Sequence, residues 1–425
     1  MSLNFKDNQI IVVSPGSSQT LIQCGLTETL MLPNFFVPTV VYRSESGFTL
    51  EPTGSPIYPL VQGGINDQDA FHYFLKTVYK QATERLGIAP AVLLLQPPQW
   101  TKRQLEYLCQ YMFEEAQVPG LMCLGHSVAN AYALNARDCL VVDVGHEKTD
   151  ITVVHEFEAP LHFTHTIPFG GQHITAYLEK AFSLDNDTAE DLKLSGIVEV
   201  PADRKEELNI EPEDGVVDVA AIISSGKMKE FLAKRDKTQT DGNGEAAANS
   251  DLAENSFTDR NGVLRTVGKD RFNACQDLFD RIKVAIGLLI NRIPPKARAA
   301  AWQNIIVTGR GALVPGFRPG LIATLEAEFL LTGNTIGSAA AQPFASQDTS
   351  NRQTPYEGDA PAQAPTLIKL GQIADYFPEW KNIGWTITSF LGAQIAAKQS
   401  FSGQASYFVA RQDYNEIGPS AIWDL

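Results

Sequence analysis

Four histidines, His155, His162, His165 and His173, lie close together and carry the imidazole nitrogens from which a metal site could be built. They flank and occupy a predicted pair of strands. No cysteine or clustered carboxylate completes a ligand set, so they read as surface or half-buried histidines and no metal is expected. A basic run, Lys227, Lys229, Lys234, Arg235 and Lys237, follows Ser224-Ser225-Gly226 and could touch DNA or an acidic partner. Its pattern reads better as a solvated helix face. The five cysteines, Cys24, Cys109, Cys123, Cys139 and Cys275, show no paired spacing, which argues against zinc and for a reducing compartment.

The chain as a whole is acidic, with a formal net charge of −15 over 425 residues. Such a surface repels nucleic acid over most of its extent, so no direct nucleic-acid binding is expected. Met1 to Val13 shows no apolar run behind basic residues, and no stretch reaches the ~18 apolar residues of a membrane span. No membrane association is expected, and the compartment is cytosolic or nuclear. With 44% hydrophobic and 20% charged residues, a large buried core is affordable without metal or disulfide.

These residues need elements to hold them. The β-branched run Ile10 to Val13, the small-residue turn Ser14-Pro15-Gly16-Ser17-Ser18 and the apolar Thr20 to Cys24 predict a hairpin. Leu140 to Gly145 and Thr149 to Val154 repeat the pattern. One such unit near the start of each half suggests two related lobes. Between them, Phe71, Phe74, Leu75, Val78, Tyr79, Ala82 and Leu86 share one helical face, Ala91 to Leu95 is a short buried strand, and Leu105 to Phe113 marks another helix. Alternation of this kind predicts α/β layers. Thr238 to Asn255 and Thr332 to Pro365 are poor in large apolar residues and read as surface insertions or flexible loops. An apolar helix over Phe390 to Ala397 comes near the end.

Five stretches, in order, carry a resemblance to the actins. They are the second hairpin, Ile167-Pro168-Phe169-Gly170-Gly171 with Ile174 to Leu178, Gly262 to Phe272, Asn304 to Gly311 with Pro315-Gly316-Phe317, and the C-terminal helix and tail. Within the actins, Tyr376 to Lys381, Phe390 to Ile395 and Gly418 to Leu425 resemble the subfamily of ninth actin-related proteins of fungal SWI/SNF and RSC chromatin remodellers. The resemblance implies an actin-like two-lobed α/β fold of duplicated ribonuclease H-like domains with surface insertions. The implied outer lobe is residues 1–133 plus 389–425, with a small subdomain at about 39–58. The implied inner lobe is 134–388, with a smaller subdomain at about 169–268 and a flexible insertion at about 332–365. It further implies a nuclear protein that pairs with the seventh actin-related protein, binds the helicase/SANT-associated helix of the remodeller ATPase, and sits beside a small accessory subunit.

An actin-type ATPase needs two glycine turns that offer N–H groups to phosphates, acids that hold the water shell of Mg²⁺, a lysine, and a glutamine that orients water. Against that pattern the first turn, Ser14 to Gln19, has no acid, and the lysine position falls on or near Gln23. The second acid aligns with His146, the next glycine with Glu147, the water-orienting glutamine with His126, and the second glycine of the adenosine loop with Arg310. Asp143, Gly145, Thr149, Gly171, Gly309 and Gly311 persist as a degenerate nucleotide cleft. The expectation is no enzyme activity and no cofactor, with room for weak or trapped ATP. Competing readings are an active or polymerising actin-fold ATPase and a subunit of another assembly such as dynactin. The shortened loop between Arg43 and Tyr58 disfavours polymerisation. By the same resemblance a partner helix would lie between Tyr132 and Ala133 on one wall and Ile395, Ala396, Gln399 and Phe408 on the other.

Overall fold

The computed structural model describes residues 4–45, 47–201, 248–330, 365–382, 384–402 and 407–423. The basic run at 227–237, nearly all of the insertion expected over 332–365 and residues 238–247 of the other one lie outside the described residues.

The first sheet forms around a strand buried on both faces. Strand β1 (Ile10–Ser14) pairs antiparallel with β2 (Gln19–Cys24), which pairs with β3 (Phe35–Pro38). Two small β-elements follow. A three-stranded sheet comprises β4 (Val41–Ser44), β5 (Gly47–Thr49) and β6 (Ser55–Ile57), and a tight hairpin joins β7 (Leu60–Val61) to β8 (Gly64–Ile65). Helix α1 (Gln68–Leu86) is opened by Asp67, which accepts from Ala70 N, and closed by Gly87 in the left-handed region. It leads to β9 (Ala91–Gln96), parallel to β1, and then to α2 (Lys102–Glu114) and β10 (Gly120–Gly125), parallel to β9.

Alternation explains the two layers. Ile11, Val13, Val92 and Leu94 point into one core with the apolar faces of α1 and α2. Ile10, Val12, Leu93 and Leu95 point into another, built with α3 (His126–Leu134) and a helix near the C-terminus. Parallel strands covered on both faces read as continuous apolar runs, as these do.

The second sheet repeats the plan. Strand β11 (Cys139–Val144) pairs antiparallel with β12 (Thr149–Val154), and β12 with β13 (Thr164–Ile167). Helices α4 (Gly171–Phe182) and α5 (Asn186–Leu194) come next, then the hairpin of β14 (Asn255–Thr258) and β15 (Leu264–Val267). Helices α6 (Gln276–Ile290) and α7 (Pro295–Gln303) lead to β16 (Ile305–Thr308), which is parallel to β11, and α8 (Phe317–Phe329) follows. Thus in each half a hairpin's first strand is flanked by its antiparallel partner and by a later parallel strand. This is a duplicated α/β architecture with two lobes. The hairpin β14–β15, α4 and α5 pack on the same apolar cluster as α6 and α8, through Phe257, Val267, Leu178 and Leu192.

The chain then returns. Short helix α9 (Pro378–Asn382) buries Trp380, whose indole N–H donates to Leu30 O at 2.8 Å. Trp380 therefore belongs to the first sheet's core already, ahead of the boundary expected at 389. Helix α10 (Thr388–Ser402) lies against α3 so closely that a Cβ on Gly392 would sit 1.7 Å from Ala129 O. Strand β17 (Val409–Ala410) completes the first sheet beside β10, and α11 (Arg411–Ile417) stacks Tyr414 on Phe113.

Candidate functional site

The two hairpin turns face each other across a cavity of about 580 Å³. Their backbones match. Gly16 N donates to Gln19 O at 3.1 Å, and Gly145 N donates to Lys148 O at 2.8 Å. Ser14 lies opposite Leu21 across the first hairpin, and Asp143 opposite Asp150 across the second. The internal repeat therefore sets Ser14 against Asp143, Gln19 against Lys148 and Leu21 against Asp150. Gln19 and Leu21, four and two residues before Gln23, line the cavity. Gln23 instead donates to Gly25 O at 3.1 Å, outside the cavity wall. The lysine position of the resemblance is thus better assigned to Leu21, which is apolar.

The glycines that persist are held by close backbone approach. Gly309, at φ +92°, would place a Cβ 2.2 Å from Val144 O, and a Cβ on Gly311 would lie 2.5 Å from Gly145 O. Gly171 faces Gly311 Cα. Gly171 N donates to Gly145 O at 2.9 Å and Gln172 N to His146 O at 2.8 Å. Thr149 is buried and its hydroxyl donates to Phe169 O. Gly171, Gln172 and Thr149 thus knit the turn of β11–β12 to the start of α4, and the N–H groups of Gly145, Gly171 and Gln172 serve the protein's own carbonyls.

The charged groups of the cleft are also committed. Lys148 is paired with Asp150 and donates to Gln99 Oε1 at 2.5 Å. Gln99 Nε2 donates to Asp150 Oδ1 at 2.8 Å and lies 2.7 Å from Thr166 Oγ1, whose hydroxyl donates to Asp150 Oδ1. Lys193 donates to Glu190 at 2.6 Å, to Thr175 Oγ1 and to Gly171 O. Burial pushes the Glu190 carboxyl up, but the hydrogen bonds from Lys193 and Thr175 outweigh it and hold it below its ordinary value. Gln62 N donates to Glu147 Oε2 at 2.5 Å. Arg310 reaches across the mouth and donates to Gln19 Oε1.

Asp143 and His126 stand apart from this network. Their nearest atoms are 3.9 Å apart, and His126 Nδ1 is buried without a hydrogen-bond partner. Burial, with the nearby Asp150 charge, pushes the Asp143 carboxyl up to about 6. Burial and the Lys148 charge push the His126 imidazole down to about 4. A magnesium nucleotide needs unpaired donors, a free cation and a well-solvated carboxylate at this place. The residues present do not fit it: the N–H groups of Gly16, Gly145, Gly171 and Gln172 and the ammonium of Lys148 are paired within the chain, and Ser14 provides no acid. Sequence reasoning located His126, Glu147 and Arg310 in the cleft but missed Gln99, Lys148, Asp150 and Gln62. The one visible signal was a lysine inside a phosphate-type turn.

The expected partner walls are differently placed. Ala133, Ala396 and Phe408 are buried within the chain, and Phe408 packs on Phe5 and Phe401 in the core. These three are corrected to core positions, because α3, α10 and the segment before β17 pack their apolar side chains into one cluster. Tyr132 is half-buried and its ring stacks on Phe157 at 5.1 Å, with Phe157 itself in the left-handed region at φ +64°. Ile395 is half-buried and Gln399 exposed on α10. Of the histidines, His155 bonds Asp138 at 2.6 Å and His173 accepts from Gly170 N at 3.1 Å, so they serve separate local structures.

Comparison with known proteins agrees with the duplicated architecture. A family model described as "Actin" matches residues 44–354. The "SWI/SNF and RSC complexes subunit arp9" of Schizosaccharomyces pombe is 30% identical, over 87% of this chain and 79% of that protein. "Actin-related protein 4" of Yarrowia lipolytica is 25% identical over 62% of this chain and 65% of its own length. "Actin-related protein 4" of Arabidopsis thaliana is 28% identical over 29% of this chain and 28% of its own length. With two facing hairpins, a parallel strand beside each and a family match across most of its length, the chain belongs to the actin family.

Proposed function

We propose that this chain is a structural, non-catalytic actin-related subunit of an ATP-dependent chromatin-remodelling complex of the SWI/SNF and RSC kind, acting in the nucleus. The observation that carries the non-catalytic reading is the self-pairing of the cleft. Lys148 is ion-paired with Asp150 and hydrogen-bonded to Gln99, and the N–H groups of Gly145, Gly171 and Gln172 are used within the chain itself. Nucleophilic attack of water on a phosphoryl group needs positioned charge and a water-orienting group. Here that group would be His126, an imidazole held neutral by burial. The remodeller reading is supported by the relative of that name, which is 30% identical over 87% of the chain. In this proposal the chain pairs with the seventh actin-related protein and holds the helicase/SANT-associated helix of the ATPase, beside a small accessory subunit. The formal charge of −15 favours protein partners over direct contact with nucleic acid. The proposal also divides the chain into an outer lobe of 1–133 with 389–425 and an inner lobe of 134–388, with Trp380 of the inner-lobe range packed into the first sheet's core.

Two measurements test it. Purification of the tagged chain from its own cells should bring down a remodelling ATPase and a second actin-related protein. Recovery with dynactin subunits instead would overturn the remodeller reading. The isolated chain with magnesium and ATP should turn over no faster than background. Steady hydrolysis that disappears in Asp143→Ala would sink the non-catalytic reading.

A further inference from the structure

The polar links between the two lobes converge on one place. Gln99 follows β9 of the first sheet, yet its amide lies within hydrogen-bond distance of three residues of the second lobe: Lys148, Asp150 and Thr166. The β7–β8 turn of the first lobe is pinned from its own side, since Gly63 N donates to Ser17 Oγ at 3.1 Å and Trp100 donates to Gly63 O at 3.0 Å. From the opposite side Gln62 N donates to Glu147. Gly63 also makes room. At φ +74°, a Cβ there would sit 2.4 Å from Lys148 Cε and 3.0 Å from Gln99 Oε1. The lysine stem of one lobe thus runs through a notch left by a glycine of the other. The side chains of Lys148 and Asp150 are only 13% and 10% exposed, so their pairing lies out of bulk water. Arg310 and Gln19 add a second tie at the mouth.

We infer that Gln99, seated between Lys148, Asp150 and Thr166 with Gly63 above it, is an interlobe clasp that holds the cleft closed without any ligand. The proposal deepens the scaffold reading and rests on it in one respect, that no nucleotide bridges the lobes. The chemistry is directional. The Gln99 carbonyl oxygen accepts from the ammonium, and its amide nitrogen donates to the carboxylate. A side chain that only accepts would meet Asp150 with repulsion.

The test is hydrogen exchange on the full-length chain and its variants. In Gln99→Glu, amides of both cleft walls, in peptides spanning 14–24, 60–66 and 144–152, should exchange at least about tenfold faster, reporting opening rather than local fraying. The radius of gyration from solution scattering should rise with it. In Gln99→Glu/Asp150→Asn the donor and acceptor are exchanged between the partners with the net charge kept, and protection should return. An unchanged rate in the single variant, an increase confined to residues 97–101, or a double variant as open as the single one would each overturn the clasp. A third arm separates this from the function reading. Magnesium–ATP added to the unmodified chain should leave the same peptides unchanged. Protection by ATP would overturn the nucleotide-free reading, and the variants would still judge the clasp.

Discussion

At the residue scale, Asp143 and His126 make opposite demands on pH. The Asp143 carboxyl is raised from 3.8 to about 6. Its contribution to stability is fully present below 3.8 and is lost as pH rises through 6. The His126 imidazole is lowered from 6.5 to about 4. Its contribution is present above 6.5 and is lost as pH falls through 4. Each shift is worth about 1 to 3 kcal/mol, so between pH 4 and 6.5 the two nearly offset each other. Substitution should separate them. Asp143→Asn should be more stable than the parent at pH 7, lose about half of that advantage by pH 5 and the rest only as pH falls to 3.8. His126→Asn should instead gain stability as pH falls from 7 to 5. Thermal unfolding at pH 7, 6 and 5 reads both slopes, and parallel curves for the parent and both variants would refute the assignment. The positions of His126 and Arg310 were legible because a glycine pattern counts off fixed distances along the chain. The displacement from Gln23 to Leu21 was not, since two residues along a strand keep the same face and no spacing distinguishes them. Gln99 was invisible for a different reason. Its partners lie 49 to 67 residues away and are brought to it only by the way β9 ends beside the β12–β13 edge.

At the element scale, periodicity was the reliable guide. The face of Phe71, Phe74, Leu75 and Val78 emerged as α1, and both hairpins formed at the expected residues. The β7–β8 hairpin is two residues per strand, too short for any pattern to announce, yet it forms a wall of the cleft. The crossing of α3 and α10 shows why helix identity alone is insufficient. Gly392 passes so near Ala129 O that no side chain fits there. Gly392→Val should force the helices apart and cost about 3 kcal/mol or more, measurable as a large fall in melting temperature. An unchanged melting temperature would mean that the crossing can relax. Trp380 makes a complementary case. In Trp380→Phe the ring is largely replaced, but Leu30 O loses its donor. A loss of about 1 to 3 kcal/mol in denaturant unfolding is expected, against about 3 to 5 for Trp380→Ala. Equal losses in the two variants would show that the hydrogen bond, and not packing, dominates.

At the scale of the whole molecule, three of the six positions expected to meet a partner helix are core residues, leaving Tyr132, Ile395 and Gln399 near the surface. If the proposed helix binding holds, Tyr132→Ala should weaken it at least tenfold, since a central aromatic anchor is commonly worth ~2 kcal/mol. It also removes the stacking on Phe157, so Gln399→Arg, on an exposed site, provides the independent probe. Unchanged calorimetric affinity in both would send the helix elsewhere. The burial of those three residues has a common cause: the first sheet is closed by the end of the chain. Phe5 N donates to Phe401 O, Trp380 reaches Leu30 across 350 positions, and β17 supplies the strand beside β10. During synthesis at roughly 5 to 20 residues per second, Ile10, Val12, Leu93 and Leu95 therefore wait for tens of seconds with α3 but not α10 against their face of the sheet. The lobe that is made first is finished last. A chain cut short before Trp380 would keep α3 on that face but lack Trp380, α10 and Phe408, which complete its core.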